Sequence, residues 1–337
     1  MDTERRKKSR KRKLTESQLI INELDKKAAQ EKEHDSKKLT NDIIPRKPTV
    51  SIALPGSILS SVPTDELKTY VIGQVARAAA LFNISELIIF NEMSTNPQAL
   101  SARNINLMFV HVLKYLETPQ YLRKIIFPKH PDLQHVGLLH PLNCSHHMKQ
   151  DEWSEYREGV VLDRPSKKKR GSYVNVGLIK DARVDMCIQP GVRVTVKMQE
   201  PDINRELRHY RGSVVSPLEP FETDIYWGYL VRYAISFSSV FSESTYNQPY
   251  DLIIGTSDKG EDISSINFPN KFKHCLIVFG GLAGLETCLE GDDELKVEDV
   301  KLLFDYYLNC CPRQGCKTIR TEEAIFITLS SLQGKLL

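Results

Sequence analysis

Apolar and polar side chains alternate from Thr49 to Leu54, as in a strand, and Pro55-Gly56 ends the run. The period then changes. Asp65 to Leu81 repeats its apolar positions at helical spacing, and Glu86 to Phe90 is a short apolar run of strand length. Asn91 to Asn106 is polar and loop-like. Leu107 to Leu116 reads as a second helix, and Pro119 to Ile126 adds a shorter one. After about Tyr156 the texture becomes β-rich, with short runs at Gly159–Leu162, Ser172–Gly177, Ala182–Ile188, Val192–Met198 and Gly212–Val215. Turn signals at Arg170-Gly171 and Pro190-Gly191 separate them, so a small barrel is expected.

Alternating strand and helix patterns resume at Ile225. Trp227 to Ser236 has part-helical periodicity, Asp251–Gly255 and Cys275–Phe279 read as strands, and Lys296–Tyr307 and Ala324–Leu332 read as helices. The expected fold class is α/β, a mostly parallel sheet with helices on both faces and an inserted OB-like barrel. The expected domains are a basic tail over 1–47, a main domain over 48–156 and 223–337, and the barrel over 157–222. Ligands of such sheets gather beyond the carboxyl ends of the strands. That rule places Gly255-Thr256-Ser257, Gly280-Gly281-Leu282 and the Cys311–Thr318 loop along one edge.

Charge sharpens this division. Residues 1–47 carry a net charge of +6 and the remainder −3, with eight basic residues between Arg5 and Lys13. Such a run reads as a nuclear address, a nucleic-acid contact or a solvated tail that is disordered or partly helical over Thr15–Glu33. With 41% hydrophobic residues the chain can bury a core. The cysteine count is seven, and no apolar segment opens the chain. A reducing compartment is therefore expected, the nucleus or nucleolus, with the cytoplasm as the alternative. The longest apolar run, Cys275 to Leu285, is too short to cross a membrane.

The motif Cys-Pro-Arg-Gln-Gly-Cys-Lys-Thr-Ile-Arg-Thr-Glu-Glu-Ala at 311–324 runs from a polar loop into a helix. Thr321 is the expected cap, and Glu322 and Glu323 offset the positive helix end. With Tyr-Trp-Gly-Tyr (226–229), Asp-Leu-Ile-Ile-Gly-Thr-Ser (251–257) and Val-Phe-Gly-Gly-Leu-Ala-Gly-Leu-Glu (278–286), it resembles the eukaryotic branch of the SPOUT methyltransferase superfamily. That branch comprises RNA methyltransferases with an inserted OB barrel. Tyr-Leu-Arg-Lys (121–124), Phe-Pro-Lys-His (127–130), His-His-Met-Lys-Gln-Asp-Glu (146–152) and Arg-Glu-Gly-Val-Val (157–161) extend the likeness over roughly 48–332. Cys316-Lys317 departs from it, standing where relatives often carry a small hydroxyl residue followed by Arg.

The resemblance implies a deep trefoil knot, S-adenosylmethionine as methyl donor, and a homodimer with the cofactor near the subunit interface. It makes Thr256, Ser257, Gly280, Gly281, Leu282, Gly284, Asn309, Pro312, Gly315, Thr318 and Ile319 candidate cofactor residues. Gly280, Gly281 and Gly284 let the main chain approach a ligand closely, though glycine in such a turn also simply permits packing. Arg77, Arg123 and Arg320 are candidates for stabilising negative charge on the acceptor, the first two from a partner subunit. Equally, they can serve as solvated or salt-bridged side chains.

The barrel supplies candidate RNA contacts at Lys167, Lys168, Lys169, Arg170, Arg193 and Arg211. Tyr173, Lys197, Arg208, His209 and Tyr210 add cationic and flat groups. His130, His135, His140, His146 and His147 lack a metal-binding order, as do Cys310, Cys311 and Cys316, and no metal is expected. The leading expectation is an S-adenosylmethionine-dependent RNA methyltransferase acting on structured ribosomal or transfer RNA. A non-catalytic RNA-binding protein of ribosome or spindle assembly is the alternative. A dinucleotide-dependent enzyme fits less well, because the glycine spacing is not G-x-G-x-x-G.

Overall fold

The computed structural model describes residues 47–92, 104–164, 171–200, 208–246, 248–269 and 271–335. Residues 1–46 of the basic tail and the Lys167–Arg170 turn lie outside the described residues.

Six strands form one sheet in which every pairing is parallel. They are β1 (Thr49–Pro55), β2 (Glu86–Phe90), β8 (Leu230–Ala234), β9 (Leu252–Asp262), β10 (His274–Phe279) and β11 (Tyr306–Asn309), in the order β11-β9-β10-β1-β2-β8. The central strands are buried along their whole length, which is why they read as apolar runs. Alternate residues feed two cores. Ile52, Leu87, Ile89 and Ile277 pack on one face, and Ala53, Ile88, Phe90, Leu276 and Val278 on the other. The first face is covered by α1 (Asp65–Leu81), α2 (Ile105–Glu117) and α7 (Thr321–Gln333). The short helices are α3 (Gln120–Ile126), α4 (Leu218–Glu222), α5 (Ser238–Ser242) and α6 (Gly284–Glu290). Among the described residues no helix is long and apolar enough to cross a membrane.

The barrel is closed in the order β3-β4-β5-β7-β6, from β3 (Tyr156–Val161), β4 (Ser172–Asn175), β5 (Ala182–Val184), β6 (Arg193–Met198) and β7 (Tyr210–Val215). Its small core holds Val161, Val174, Val184, Val196 and Met198. Buried ions join it to the main sheet's helices. The Arg193 guanidinium donates two bonds to Glu117 at the end of α2, at 2.6 and 2.9 Å, and one to Glu158 of β3 at 2.6 Å. Trp227 Nε1 donates to the same Glu158 at 2.7 Å. Burial alone would raise the Glu117 carboxyl, but Arg193 and His146 hold it well below the carboxylate range.

Three helical expectations change. The 296–307 segment holds only the 3-10 turn Val300–Leu303 and then enters β11. The Asp299 side chain accepts from Lys301 N and caps the start of that turn, which ends at Leu303, and Tyr306-Tyr307-Leu308 extends beside β9. Trp227–Ser236 yields the strand β8, because Arg232 turns inward to the fully buried Glu86 (3.1 Å) and the Leu-Val-Arg-Tyr-Ala run pairs with β2. Thr321 does not cap α7. Arg320 occupies that position, and Thr321 is bonded elsewhere. The strand expected to stop at Gly255 also runs on to Asp262. At Gly260 a Cβ would lie 2.3 Å from the backbone of Leu308, so glycine admits β11 there.

Candidate active site

The carboxyl ends of β10 and β11 both lie against β9, β10 ending at Phe279 opposite Thr256 and β11 at Asn309 opposite Asp262. β10 ends at Phe279 and the chain turns through Gly280-Gly281-Leu282-Ala283 into α6. The Gly284 amide donates to the Gly281 carbonyl at 3.1 Å, and Gly284 has φ +83°, a conformation that glycine adopts without strain. A Cβ on Gly280 would lie 2.8 Å from the Gly284 backbone. One on Gly281 would meet Glu92 Oε1 at 2.4 Å and Ser57 Oγ at 2.9 Å. Both glycines therefore permit tight packing of the turn. Leu282 at its tip is 71% exposed.

The β11–α7 loop closes on this turn. Thr321 Oγ1 donates to the Gly280 carbonyl at 3.0 Å, fixing the start of α7 against the end of β10. Asn309 Nδ2 donates to the Asp258 carbonyl at 2.8 Å, and its Oδ1 accepts from Cys311 N at 2.9 Å. One side chain thus ties the loop to β9 and shapes its first turn. Pro312, Gly315 and Thr318 are exposed and Ile319 is half-buried. A Cβ on Gly315 would meet nothing within 4 Å. Lys259 Nζ bonds Glu286 at 2.9 Å across the β9–α6 side.

The structure thus gathers the Gly280–Gly284 turn, Asn309 and the start of α7. Thr256 and Ser257 lie within β9 and make local bonds. Thr256 Oγ1 donates to the Val278 carbonyl at 3.0 Å, and Ser257 Oγ accepts from Lys259 N at 3.2 Å. Gly255 faces the Phe304 ring, 2.6 Å from where a Cβ would sit, so its smallness accommodates that ring.

The donor set suits an adenosyl group. Leu282, Ala283, Pro312, Arg313 and residues 315–318 are exposed, while the Gly281, Cys316 and Lys317 carbonyls already accept from Gly284 N and the Gln314 amide, so an adenine edge would be read by the other main-chain groups of these segments, with the Ser257 hydroxyl adding side-chain polarity. A separate surface cavity is lined by Tyr115, Phe127, Lys129, His130 and Gln134, and none of its residues belongs to this turn or loop.

The three candidate arginines are not brought together. Arg77 Nη1 donates to the Leu142 carbonyl at 2.7 Å. Arg123 donates to the Thr118 and Leu116 carbonyls at 2.8 and 3.0 Å and lies over the Tyr115 ring, so it closes the C-terminal end of α2. Burial lowers its pKa. Arg320 is exposed, next to the Thr321–Gly280 bond. On the barrel Arg193 is a correction. Its guanidinium is committed to Glu117 and Glu158, which withdraws it from any RNA face. Lys197 likewise pairs with Glu219 at 2.9 Å. Arg211 is exposed.

Two side-chain groupings include members of the histidine set His130, His146 and His147 together with residues the sequence reading did not join to them. Cys144, His146 and His147 offer ligand-type atoms within 4.8 Å of one another, as do His111, His130 and Asp132. In the first, both imidazole Nε2 atoms bond the Glu117 carbonyl, at 2.8 and 2.6 Å. Burial, with the neighbouring His146, pushes the His147 pKa down to about 4, and burial pushes the Cys144 thiol up to about 12. In the second, His111 Nδ1 lies 2.8 Å from Asp132. The first grouping is local in the sequence, Cys144-Ser145-His146-His147, whereas in the second His111 of α2 joins His130 and Asp132 from far upstream.

Residues 49–332 match a family model described as "Putative RNA methyltransferase". A human 28S rRNA (uridine-N(3))-methyltransferase is 46% identical over 298 residues, covering 86% of this chain and 79% of that protein. A Drosophila melanogaster protein of the same name is 46% identical over 331 residues, covering 91% and 67%. A solved structure, the SpoU methyltransferase AviRb from Streptomyces viridochromogenes in complex with AdoMet, covers 87% of this chain and 61% of its own at 9% identity. Its TM-score is 0.33, too low to carry an inference.

Proposed function

The chain belongs to the RNA methyltransferase family matched over residues 49–332, and from that premise we propose that it methylates N3 of a uridine in large-subunit ribosomal RNA, using S-adenosylmethionine. The observation that carries the substrate assignment is the 46% identity, over 86% of the chain, to the human enzyme named for that reaction.

When bound, S-adenosylmethionine supplies a methyl group on a positively charged sulfonium. The Gly280–Gly284 turn and the 312–318 loop are the main-chain walls that would hold it, with Asn309 fixing the loop and Thr321 fixing the loop's far end to Gly280. As the new N3–C bond would form, the donor's S–C bond would break to leave the neutral thioether, the N3 proton would pass to water, and the negative charge developing on the uridine would spread over the ring oxygens. A nearby guanidinium stabilises that charge. We assign this role to Arg320, and its exposure beside the Thr321–Gly280 bond supports that reading. Holding the base and the donor together supplies roughly 7–11 kcal/mol by proximity.

We further propose a homodimer whose second copy covers this edge and brings Arg77 and Arg123 to the acceptor. Exposed Leu282, 71% accessible at the tip of the Gly280–Gly284 turn, is apolar surface that a partner would bury. A nuclear or nucleolar location follows from the proposed substrate.

The test is nucleoside mass spectrometry of large-subunit rRNA from cells lacking the protein, with purified protein, the donor and rRNA in parallel. Loss of 3-methyluridine in cells and its formation in vitro are expected. An unchanged 3-methyluridine level together with no methyl incorporation would refute the assignment.

A further inference from the structure

Beside the end of α2, the 143–147 turn holds side chains that the methyl-transfer site does not use. The His147 amide donates to the Cys144 carbonyl at 2.9 Å, closing a turn with two residues between the cysteine and the histidine. Two ligands so spaced on one turn can grip one ion. His146 lies inside the same turn, and the three side chains bring one sulfur and two imidazole nitrogens within 4.8 Å of one another. The expectation of no metal rested on the histidines without Cys144.

Hydrogen bonding fixes which nitrogens can take an ion. Nε2 of both rings faces the Glu117 carbonyl, at 2.8 Å from His146 and 2.6 Å from His147. A carbonyl only accepts, so each Nε2 carries its proton, and in the neutral rings the lone pair sits on Nδ1. Both Nδ1 atoms are buried, and neither has a hydrogen-bond partner among the described residues. Buried polar atoms are normally satisfied, and metal-bound histidines almost always donate their second nitrogen to a carbonyl or carboxylate. The Glu117 carboxylate adds such an outer contact, 3.0 Å from His146 Nε2. It stays tied to Arg193, so it orients the ring rather than joining the ligands.

The neighbouring chain is moulded to this arrangement. Gly228 has φ +88°, and a Cβ there would come 2.6 Å from Glu117 Oε1 and 2.7 Å from His146 Cε1. Glycine therefore lets the Tyr-Trp-Gly-Tyr segment pass this close. Asn143 and Ser145 are exposed, so the turn opens to solvent on its outer side.

We propose that Cys144, His146 and His147 bind one zinc ion, through the Cys144 sulfur and the two Nδ1 atoms, with water at the fourth position. Sulfur with imidazole suits zinc and not the oxygen-seeking ions magnesium and calcium. The Cys144 thiol gives its proton to water as the sulfur–zinc bond forms. The ion fastens the 143–147 turn at the end of α2, where Glu117 and Arg193 join the barrel to the sheet. In the metal-free protein both rings stay neutral on the same carbonyl.

The test uses the full chain, stripped with chelator and titrated with cobalt(II). A thiolate ligand gives a sulfur-to-cobalt charge-transfer band, and a tetrahedral site gives intense visible bands. One cobalt per chain with both signals is expected; zinc should displace it and raise the melting temperature. Cys144→Ser should lose the charge-transfer band and bind zinc at least about a hundredfold more weakly. Cys187→Ser, which removes an exposed thiol elsewhere, and His111→Asn, in the other grouping, should keep the parent's spectrum. A parent without the charge-transfer band overturns the proposal, as does a band that survives in Cys144→Ser. Should Cys144→Ser not fold, X-ray absorption at the zinc edge of the parent decides. One sulfur neighbour with two imidazole nitrogens is expected there, and a shell without sulfur refutes the site. None of these readouts involves methyl transfer, so failure here leaves the enzymatic assignment standing.

Discussion

Replacing Arg193 by Met distinguishes a clamp between barrel and sheet from a surface RNA contact. Arg193 makes two bonds to Glu117 and one to Glu158, and those carboxylates are themselves largely buried, with side chains 10% and 4% accessible. Removing one partner of a buried ion network strands the remaining charge, which costs about 3–5 kcal/mol. Arg193 keeps 30% of its side chain in contact with water, so screening places the expected loss at the lower end, about 3 kcal/mol. The measurement is urea unfolding of Arg193→Met and of the triple variant Arg193→Met/Glu117→Gln/Glu158→Gln. The single variant should lose that stability, and the triple should recover part of it because no lone charge remains. Where the single variant is still folded, the salt slope of its RNA binding should equal the parent's. A loss below about 1 kcal/mol, the usual yield of an exposed pair, combined with a shallower salt slope would refute the clamp and restore the RNA contact.

The remaining predictions concern pH, the loop closure and the sheet. His147 has its pKa depressed to about 4 by burial, so the unfolded chain takes up a proton before the folded one does. Stability from this group is full above about pH 6.5 and is lost as the pH falls towards 4, by about 3 kcal/mol. Thermal unfolding across that window should show the slope, and His147→Gln, which keeps a donor for the Glu117 carbonyl, should flatten most of it. A variant with the parent's slope would exclude His147 as its source. Thr321→Val removes the bond to Gly280, worth about 1 kcal/mol; S-adenosylmethionine should bind about fivefold more weakly in calorimetry, and unchanged affinity would argue that the start of α7 is no wall of the site. Arg232→Met strands the fully buried Glu86 carboxylate and should lower the unfolding free energy by about 3–5 kcal/mol. A change within about 1 kcal/mol by chemical denaturation would contradict that reading.

Periodicity carried those parts of the fold where one physical term dominates. Asp65–Leu81 and Glu86–Phe90 have the predicted bounds because burial alone decides them. The barrel strands were legible because short alternating runs lie between turn signals. Residues 296–307 and 227–236 were not, because there tertiary pairing overrides local spacing: Tyr306-Tyr307-Leu308 extends only because β9 lies beside it, and Arg232 reads as a surface residue until Glu86 is seen behind it. The candidate edge was legible at the end of β10, where the Gly280-Gly281 turn follows Phe279, but not in β9, which runs on past Gly255. Its wiring was not: the bonds from Thr321 to Gly280 and from Asn309 to Asp258 span distant parts of the chain. Arg193 illustrates the same limit, because a basic residue on a β-strand looks alike whether it faces phosphate or two hidden carboxylates.

The bond from Thr321 to the Gly280 carbonyl has a consequence for the order in which the chain is made. Helix α7, whose Ile325, Leu329 and Leu332 are fully enclosed, follows all the described strands in the sequence. A nascent chain halted before Thr321 therefore already contains those strands but lacks both the hydroxyl that fastens the end of β10 and the helix that covers that part of the apolar face.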